Sequence, residues 1–271
     1  MILLLTSSPF IPNADAAYLN PANGFIHRLE TILPEKPSCL YICSDPDSAE
    51  TDTFAQVTAE AFEAAQMPLG SVTVLDRRND ENARELVLSS DLIVLAGGHV
   101  PTQNAYFQEI GLAQILEEYE GILMGISAGS MNCASEVYQQ PEAPGESDPD
   151  FPRFAPGLGL TDTNILPHYQ QVKDYTLDGL RLFEDITYAD SEGHCFLAMV
   201  DGSYIYNDGG GEVLFGEAYL LHDGMLDQIS GEDNITVIWK HPKGGATYEK
   251  ILQVLLSPGD LQPGGPGGLG R

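Results

Sequence analysis

The 271-residue chain is poor in positive charge. It carries 12 Lys and Arg against 40 Asp and Glu, a formal net charge of −28. Such a chain repels phosphate backbones and anionic lipid headgroups, which argues against nucleic acid and membrane as partners. Solubility alone is reason enough for this charge, and a cleft need not share the sign of the whole surface. Cysteine is also scarce. Cys39, Cys43, Cys133 and Cys195 form no C-x-x-C pair, so neither a zinc ribbon nor a dithiol redox motif is expected. Cys39 and Cys43 share the apolar run SCLYIC and cannot bridge while that run is an extended strand. Scattered free thiols suit a reducing compartment, and a cytoplasmic location is the expectation. No apolar stretch reaches the length of a bilayer span. The opening MILLLTSSPF lacks a basic leader and a cleavage site, and reads as a buried first strand rather than a signal peptide. There is no H-E-x-x-H or other metal-ligand spacing, and neither metal nor cofactor is expected.

What is present is an ordinary globular balance, 43% hydrophobic and 19% charged, long enough to bury a core without disulfides. Residues 2–6, 38–43, 71–75, 91–95 and 121–126 are short apolar runs, several of them continuous, as in strands buried on both faces. Between them, 49–67 and 101–119 carry apolar residues at helical spacing, the second opening on Pro101. This alternation predicts an α/β fold of three αβα layers around a mainly parallel sheet. Residues 139–157 are dense in Pro, Gly, Asp and Glu and predict a long surface loop. A strand then ends at Pro167-His168, and 175–189 has a helical pattern. From residue 196, short runs between turn residues predict antiparallel C-terminal strands. One hydrolytic domain over 1–256 is expected, followed by a Gly/Pro-rich tail over 257–271 with the composition of a disordered segment.

The strongest chemical signal is Gly125-Ile126-Ser127-Ala128-Gly129, between an apolar strand and a plausible helix. That is the setting of a G-x-S-x-G nucleophile elbow, in which flanking glycines let a serine project from the end of a sheet. An N-cap serine at a tight turn is the bland counterpart. The backbone N–H of Ala128 would face an attacked carbonyl oxygen, and Gly98 of the pair Gly97-Gly98 could supply a second donor. A plain strand-to-helix turn accounts for the same glycines. A nucleophilic serine needs a base. Of His27, His99, His168, His194, His222 and His241, His168 is favoured because it ends a strand behind Pro167. Asp201 in VDGS is the preferred acidic partner, with Asp190 and Glu192 as alternatives and a hairpin turn as the structural explanation.

The combination of GGH…QN, GISAGS, LGLTDTNILPHY and the acidic residue before glycine in AMVDGSYI resembles the dipeptidase E and cyanophycinase family of serine peptidases. The resemblance implies a fold like class I glutamine amidotransferases, and a Ser127, His168, Asp201 triad acting through an acyl-enzyme on a small peptide. The order Ser, His, Asp differs from that of α/β-hydrolases. Serine in place of cysteine at the elbow argues against glutamine-dependent ammonia transfer. Where the family's oxyanion loop often has Asn, this chain has His99, with Gln103 and Asn104 beyond it. These three, with Lys173 and Arg181, are candidates for substrate contact. Lys173 and Arg181 match no motif of the family, so weak activity on Asp-Xaa dipeptides is expected, with preference for another small peptide. An esterase or amidase, or a catalytically silent ligand-binding protein, would fit the same residues. The sequence leaves a homodimer open.

Overall fold

A computed structural model of the chain describes residues 1–240 except 13 and 15. The tail over 257–271 and His241 lie outside the described residues. The first five apolar runs are strands: β1 (Ile2–Thr6), β2 (Ser38–Ile42), β3 (Ser71–Leu75), β4 (Leu92–Leu95) and β5 (Ile122–Ile126). Each pairs with its neighbour in parallel, β1 with β5, β5 with β4, β4 with β2 and β2 with β3. Their continuous apolar character follows from burial on two faces. Leu3, Leu5, Leu40, Ile42, Ile93 and Leu95 enter one core cluster, while Leu4, Cys39, Tyr41, Leu92 and Val94 enter another. Alternate residues thus face opposite helical layers, which makes the three-layer arrangement. Only β3, at the sheet edge, exposes Ser71, Val72 and Thr73.

The helices between these strands are α1 (Phe25–Ile32), α2 (Thr51–Ala64), α3 (Ala83–Leu88), α4 (Val100–Glu109) and α5 (Leu112–Leu116). The single helix expected over 101–119 is two, because Gly111 adopts φ +64° between them, a left-handed conformation open to glycine. A four-residue helix, α6 (Ala128–Met131), follows β5.

The remaining elements are shorter. Strands β6 (Glu136–Tyr138) and β7 (Phe154–Pro156) pair antiparallel and bracket residues 139–153, so the predicted surface loop is tied at its base by a ladder. Then come β8 (Asn164–Leu166), α7 (Tyr169–Val172), β9 (Thr176–Leu177) and β10 (Leu180–Arg181). The helix expected over 175–189 forms only in its second half, from Leu182. Asp178-Gly179 turns β9 into β10 with φ of +51° and +86°, the conformation a two-residue hairpin demands. Only after it do a π-helical turn (Leu182–Thr187) and α8 (Tyr188–Asp190) form.

The C-terminal part contains β11 (Cys195–Met199), β12 (Tyr204–Asn207), β13 (Gly211–Phe215), β14 (Ala218–His222), β15 (Met225–Ser230) and β16 (Ile235–Lys240). Strands β12, β13 and β16 extend the parallel sheet antiparallel beyond β1, giving the order β16-β13-β12-β1-β5-β4-β2-β3. A second sheet has the order β15-β14-β11-β8. Within it β8 and β11 run parallel, Leu166 opposite Ala198. The segments leaving their carboxyl ends therefore emerge side by side, and those segments carry His168 and Asp201. Thr161 and Thr163, in the leader to β8, donate hydroxyl hydrogen bonds of 2.5 and 2.6 Å to the buried carboxyl of Glu212 on β13. This ties the leader of the second sheet to the first.

Candidate active site

Ser127 sits at the carboxyl end of β5 with φ +50° and ψ −111°. That is a strained conformation for a residue with a side chain, and it is the form a nucleophile elbow takes. The two glycines around it are there for close approach. A Cβ on Gly125 would lie 2.8 Å from the Cα of Ser130, and one on Gly129 would run into the backbone oxygen of Leu95. The Ser127 carbonyl accepts the N–H groups of Ser130 and Met131, and its own N–H donates to Thr6 at 3.1 Å. These bonds fix the turn between β1, β5 and α6.

His168 closes the other side. It follows Pro167 and adopts a left-handed conformation, φ +58°, that turns its ring back toward β5. Its Nε2 lies 2.9 Å from the Ser127 Oγ, and its Nδ1 lies 2.7 Å from Oδ1 of Asp201. An ionised carboxylate only accepts, so Nδ1 carries the proton and Nε2 is left to accept from the Ser127 hydroxyl. Asp201 is almost buried, with 5% of its side chain exposed. Burial pushes its carboxyl pKa up, but the bond and charge of His168, with the hydrogen bonds of Ser7 and Gln170, outweigh this and hold it below the usual aspartate value. The alternatives do not reach the ring. Asp190 accepts from Tyr138 and Arg153, and no hydrogen bond joins Glu192 to His168.

Three partners of this chain of bonds escaped the sequence reading. Ser7, fully buried after β1, accepts the His168 backbone N–H at 2.8 Å and donates to Asp201 Oδ1 at 2.8 Å. Gln170 and Gln171 donate from Nε2 to Asp201 Oδ2 at 2.6 and 2.8 Å. Their positions held a signal. Ser7 follows a strand at the ligand-binding edge of a parallel sheet, and the glutamines follow the histidine directly.

Ser127, His168 and Gly98 line a cleft of about 340 Å3. Val100, Met131, Val172 and Leu182 supply apolar wall, and Gln140, Glu142 and Gln171 supply polar groups. A Cβ on Gly97 would stand 3.5 Å from the Ser127 Cβ, so the glycine pair after β4 passes beside the elbow. Gly98 has φ +154°, and a Cβ there would collide with Ser44.

The expected substrate contacts are placed otherwise. Gln103 is fully buried, donating to the Ala96 carbonyl and accepting from Asn132. Asn104 is buried and donates to Asn132 and to the Pro156 carbonyl. Both brace the scaffold around α4, their amide N–H groups committed to Ala96, Asn132 and Pro156. His99 lies next to the cleft but its ring is engaged, Nδ1 with Thr102 and Nε2 with Glu146, each at 2.7 Å. Lys173 is exposed and outside the cleft lining. Arg181 is exposed and bound by Asp185, whose carboxyl it draws down to about 2. Among the other histidines, His27 is exposed beside Glu30, His194 stacks on Phe154, and His222 is buried near Asp223 and Asp227.

Residues 2–211 match the family model of peptidase family S51. The chain belongs to that family. It is accordingly a serine-type peptidase, and the elbow, the histidine and the aspartate all fall within the matched residues. Among solved structures, a protein of Listeria monocytogenes EGD-e described as a "Putative Peptidase E Protein" is similar, with a TM-score of 0.54 and 17% identity. The match covers 79% of this chain and 96% of that one, and it is a likeness of fold. No curated protein matches the peptidase in sequence. Among the described residues no group of three His, Cys, Asp or Glu is arranged to hold a metal ion. No helix among them is long and apolar enough to cross a membrane.

Proposed function

We propose that this peptidase cleaves short peptides through an acyl-enzyme on Ser127. The observation that carries the reading is the unbroken series of bonds from Ser127 Oγ through both ring nitrogens of His168 to Asp201. In the first step His168 Nε2 takes the hydroxyl proton while Oγ bonds to the scissile carbonyl carbon. The carbonyl oxygen becomes an oxyanion, and the backbone N–H groups of Gly98 and Ala128 are the donors that receive it. The carbon–nitrogen bond then breaks, and His168 returns the proton to the leaving amine. Water repeats the sequence on the ester, giving the acid and free serine. Asp201 keeps the imidazole in the required tautomer and balances its positive charge.

A cleft of about 340 Å3 suits a short peptide rather than a folded chain. Free Cys39, Cys43, Cys133 and Cys195 support a reducing, cytoplasmic setting. A fluorophosphonate probe tests the nucleophile. It should label Ser127 in the native chain and leave Ser127→Ala unlabelled. Labelling of another serine that persists in Ser127→Ala would refute the assignment.

A further inference from the structure

Among the described residues, the cleft that holds Ser127 and His168 is lined by one carboxylate and by neither lysine nor arginine. Glu142 supplies that carboxylate. Lys173 lies outside the lining, Arg181 is occupied by Asp185, and Arg153, the nearest cation to Glu142 in sequence, is committed to Asp190 and to the Glu146 carbonyl. The backbone at Glu142 is held in place, while its carboxylate stays half exposed at the cleft. Both its own N–H and that of Ala143 donate to Glu146 Oε2 at 2.9 Å. The other oxygen of Glu146 takes His99 Nε2 at 2.7 Å, which anchors this stretch to the start of α4. Asp178 binds the same loop, through the Gly145 N–H and the Ser147 hydroxyl.

We propose that Glu142 is a specificity residue of this cleft, receiving a cationic group of the peptide substrate, either its terminal ammonium or a basic side chain. This rests on the acyl-transfer reading above, since it names what that same cleft accepts. Three further observations support it. Although its side chain is 49% exposed, partial desolvation against the cleft wall raises the Glu142 carboxyl pKa, with His99, the Val100 N–H and His168 offsetting part of the rise and Glu146 adding to it. A carboxylate in that state gains from a cation that enters the cleft. His99, the imidazole nearest to it, stands 4.0 Å away and is committed to Glu146. Finally, the net charge of −28 draws cations toward the molecule and repels acidic peptides. An aspartyl side chain in this cleft would meet Glu142 with no arginine among the described lining residues to balance it.

The test separates binding from turnover. Dissociation constants are measured by calorimetry on Ser127→Ala at pH 7, for Lys-Ala, norleucyl-Ala and Asp-Ala dipeptides, each with a free or acetylated amine. Lys-Ala should bind at least tenfold more tightly than Asp-Ala. The Ser127→Ala, Glu142→Gln double variant should reduce that ratio to within about threefold. Loss of affinity on acetylation identifies the terminal ammonium as the group received. Loss on changing lysine to norleucine identifies the side chain. Asp-Ala binding as tightly as Lys-Ala with no loss of affinity on acetylation, or a cation preference that survives Glu142→Gln, would overturn the proposal. Turnover of the same peptides by the unaltered chain tests the peptidase reading by itself. Selective binding without cleavage would count against that reading and leave the role of Glu142 standing.

Discussion

Replacing Asp201 by asparagine changes almost no volume and removes one charge, so its effect follows from hydrogen-bond arithmetic. Oδ1 accepts from His168 Nδ1 and Ser7, and Oδ2 accepts from Gln170 and Gln171. All four partners donate in the native arrangement, and asparagine has a single acceptor oxygen. If its amide nitrogen faces the glutamines, donors oppose donors and those side chains must turn away. If it faces His168, the imidazole must accept at Nδ1 and carry its proton on Nε2. It then cannot take the proton of Ser127, 2.9 Å distant. The charge that would stabilise the imidazolium is lost in both cases. A wrong tautomer in a Ser-His-Asp triad costs about 10^4 in turnover. With some molecules in the first orientation, a loss of about 10^3–10^4 in kcat is expected for Asp201→Asn, or about 4–5.5 kcal/mol of barrier. The assay is steady-state release of amine from the best short peptide at pH 7, with circular dichroism to verify folding. Stability supplies a second readout. The native carboxyl titrates below its unfolded value of about 3.9, so it stabilises the fold above that pH and ceases to do so as pH falls through the folded value. The stability gap between the native chain and Asp201→Asn should therefore narrow on acidification. A folded Asp201→Asn that keeps more than a tenth of native kcat, or a larger loss in Glu192→Gln, would refute the assignment of the acidic partner.

Ser7→Ala removes the acceptor of the His168 N–H and one donor to Asp201, a penalty of about 1–3 kcal/mol. It should lower kcat by about 5- to 150-fold while KM stays near its native value, because Ser7 lies behind the histidine. A rise in KM alone would contradict that position. Gly129→Ala places a Cβ against the Leu95 carbonyl and should cost about 1–3 kcal/mol of stability, read as a fall in thermal midpoint. An unchanged midpoint would show that the elbow can relax. Burial pushes the thiols of Cys39, Cys43 and Cys195 up to about 12, and raises Cys133 too. Thiolates are the reactive form, so iodoacetamide at pH 8 should modify none of the four in the native chain and all of them in denaturant. Alkylation of a native thiol, seen by mass spectrometry, would contradict this.

What could be read from the sequence by itself was local. Five strands announced themselves because burial on both faces leaves no room for polar alternation. Ser127 was legible because an elbow needs small neighbours, and Gly125 and Gly129 each pass within contact of a neighbouring backbone. The Pro-His pair marked His168 for a similar reason, since its backbone and its strand are set within a few residues. The hairpin at Asp178-Gly179 was also local, but the apolar residues on either side of it imitate a helix, and turn chemistry overrode that period. Tertiary structure decided the rest. Gln103 and Asn104 looked like ligand contacts beside the glycine pair, yet α4 turns them inward to Asn132 and Ala96. Ser7 reaches His168 across 161 residues, a distance no local pattern encodes. Glu142 enters the cleft only because Glu146 meets His99, 47 residues earlier in the chain, and holds the loop there. Propensity and sterics act within a turn or two of chain, whereas the bond from Ser7 to His168 exists only once β8 and β11 pair and bring their carboxyl ends beside that of β5, and the others only once α4 packs against α6 and the 139–153 loop.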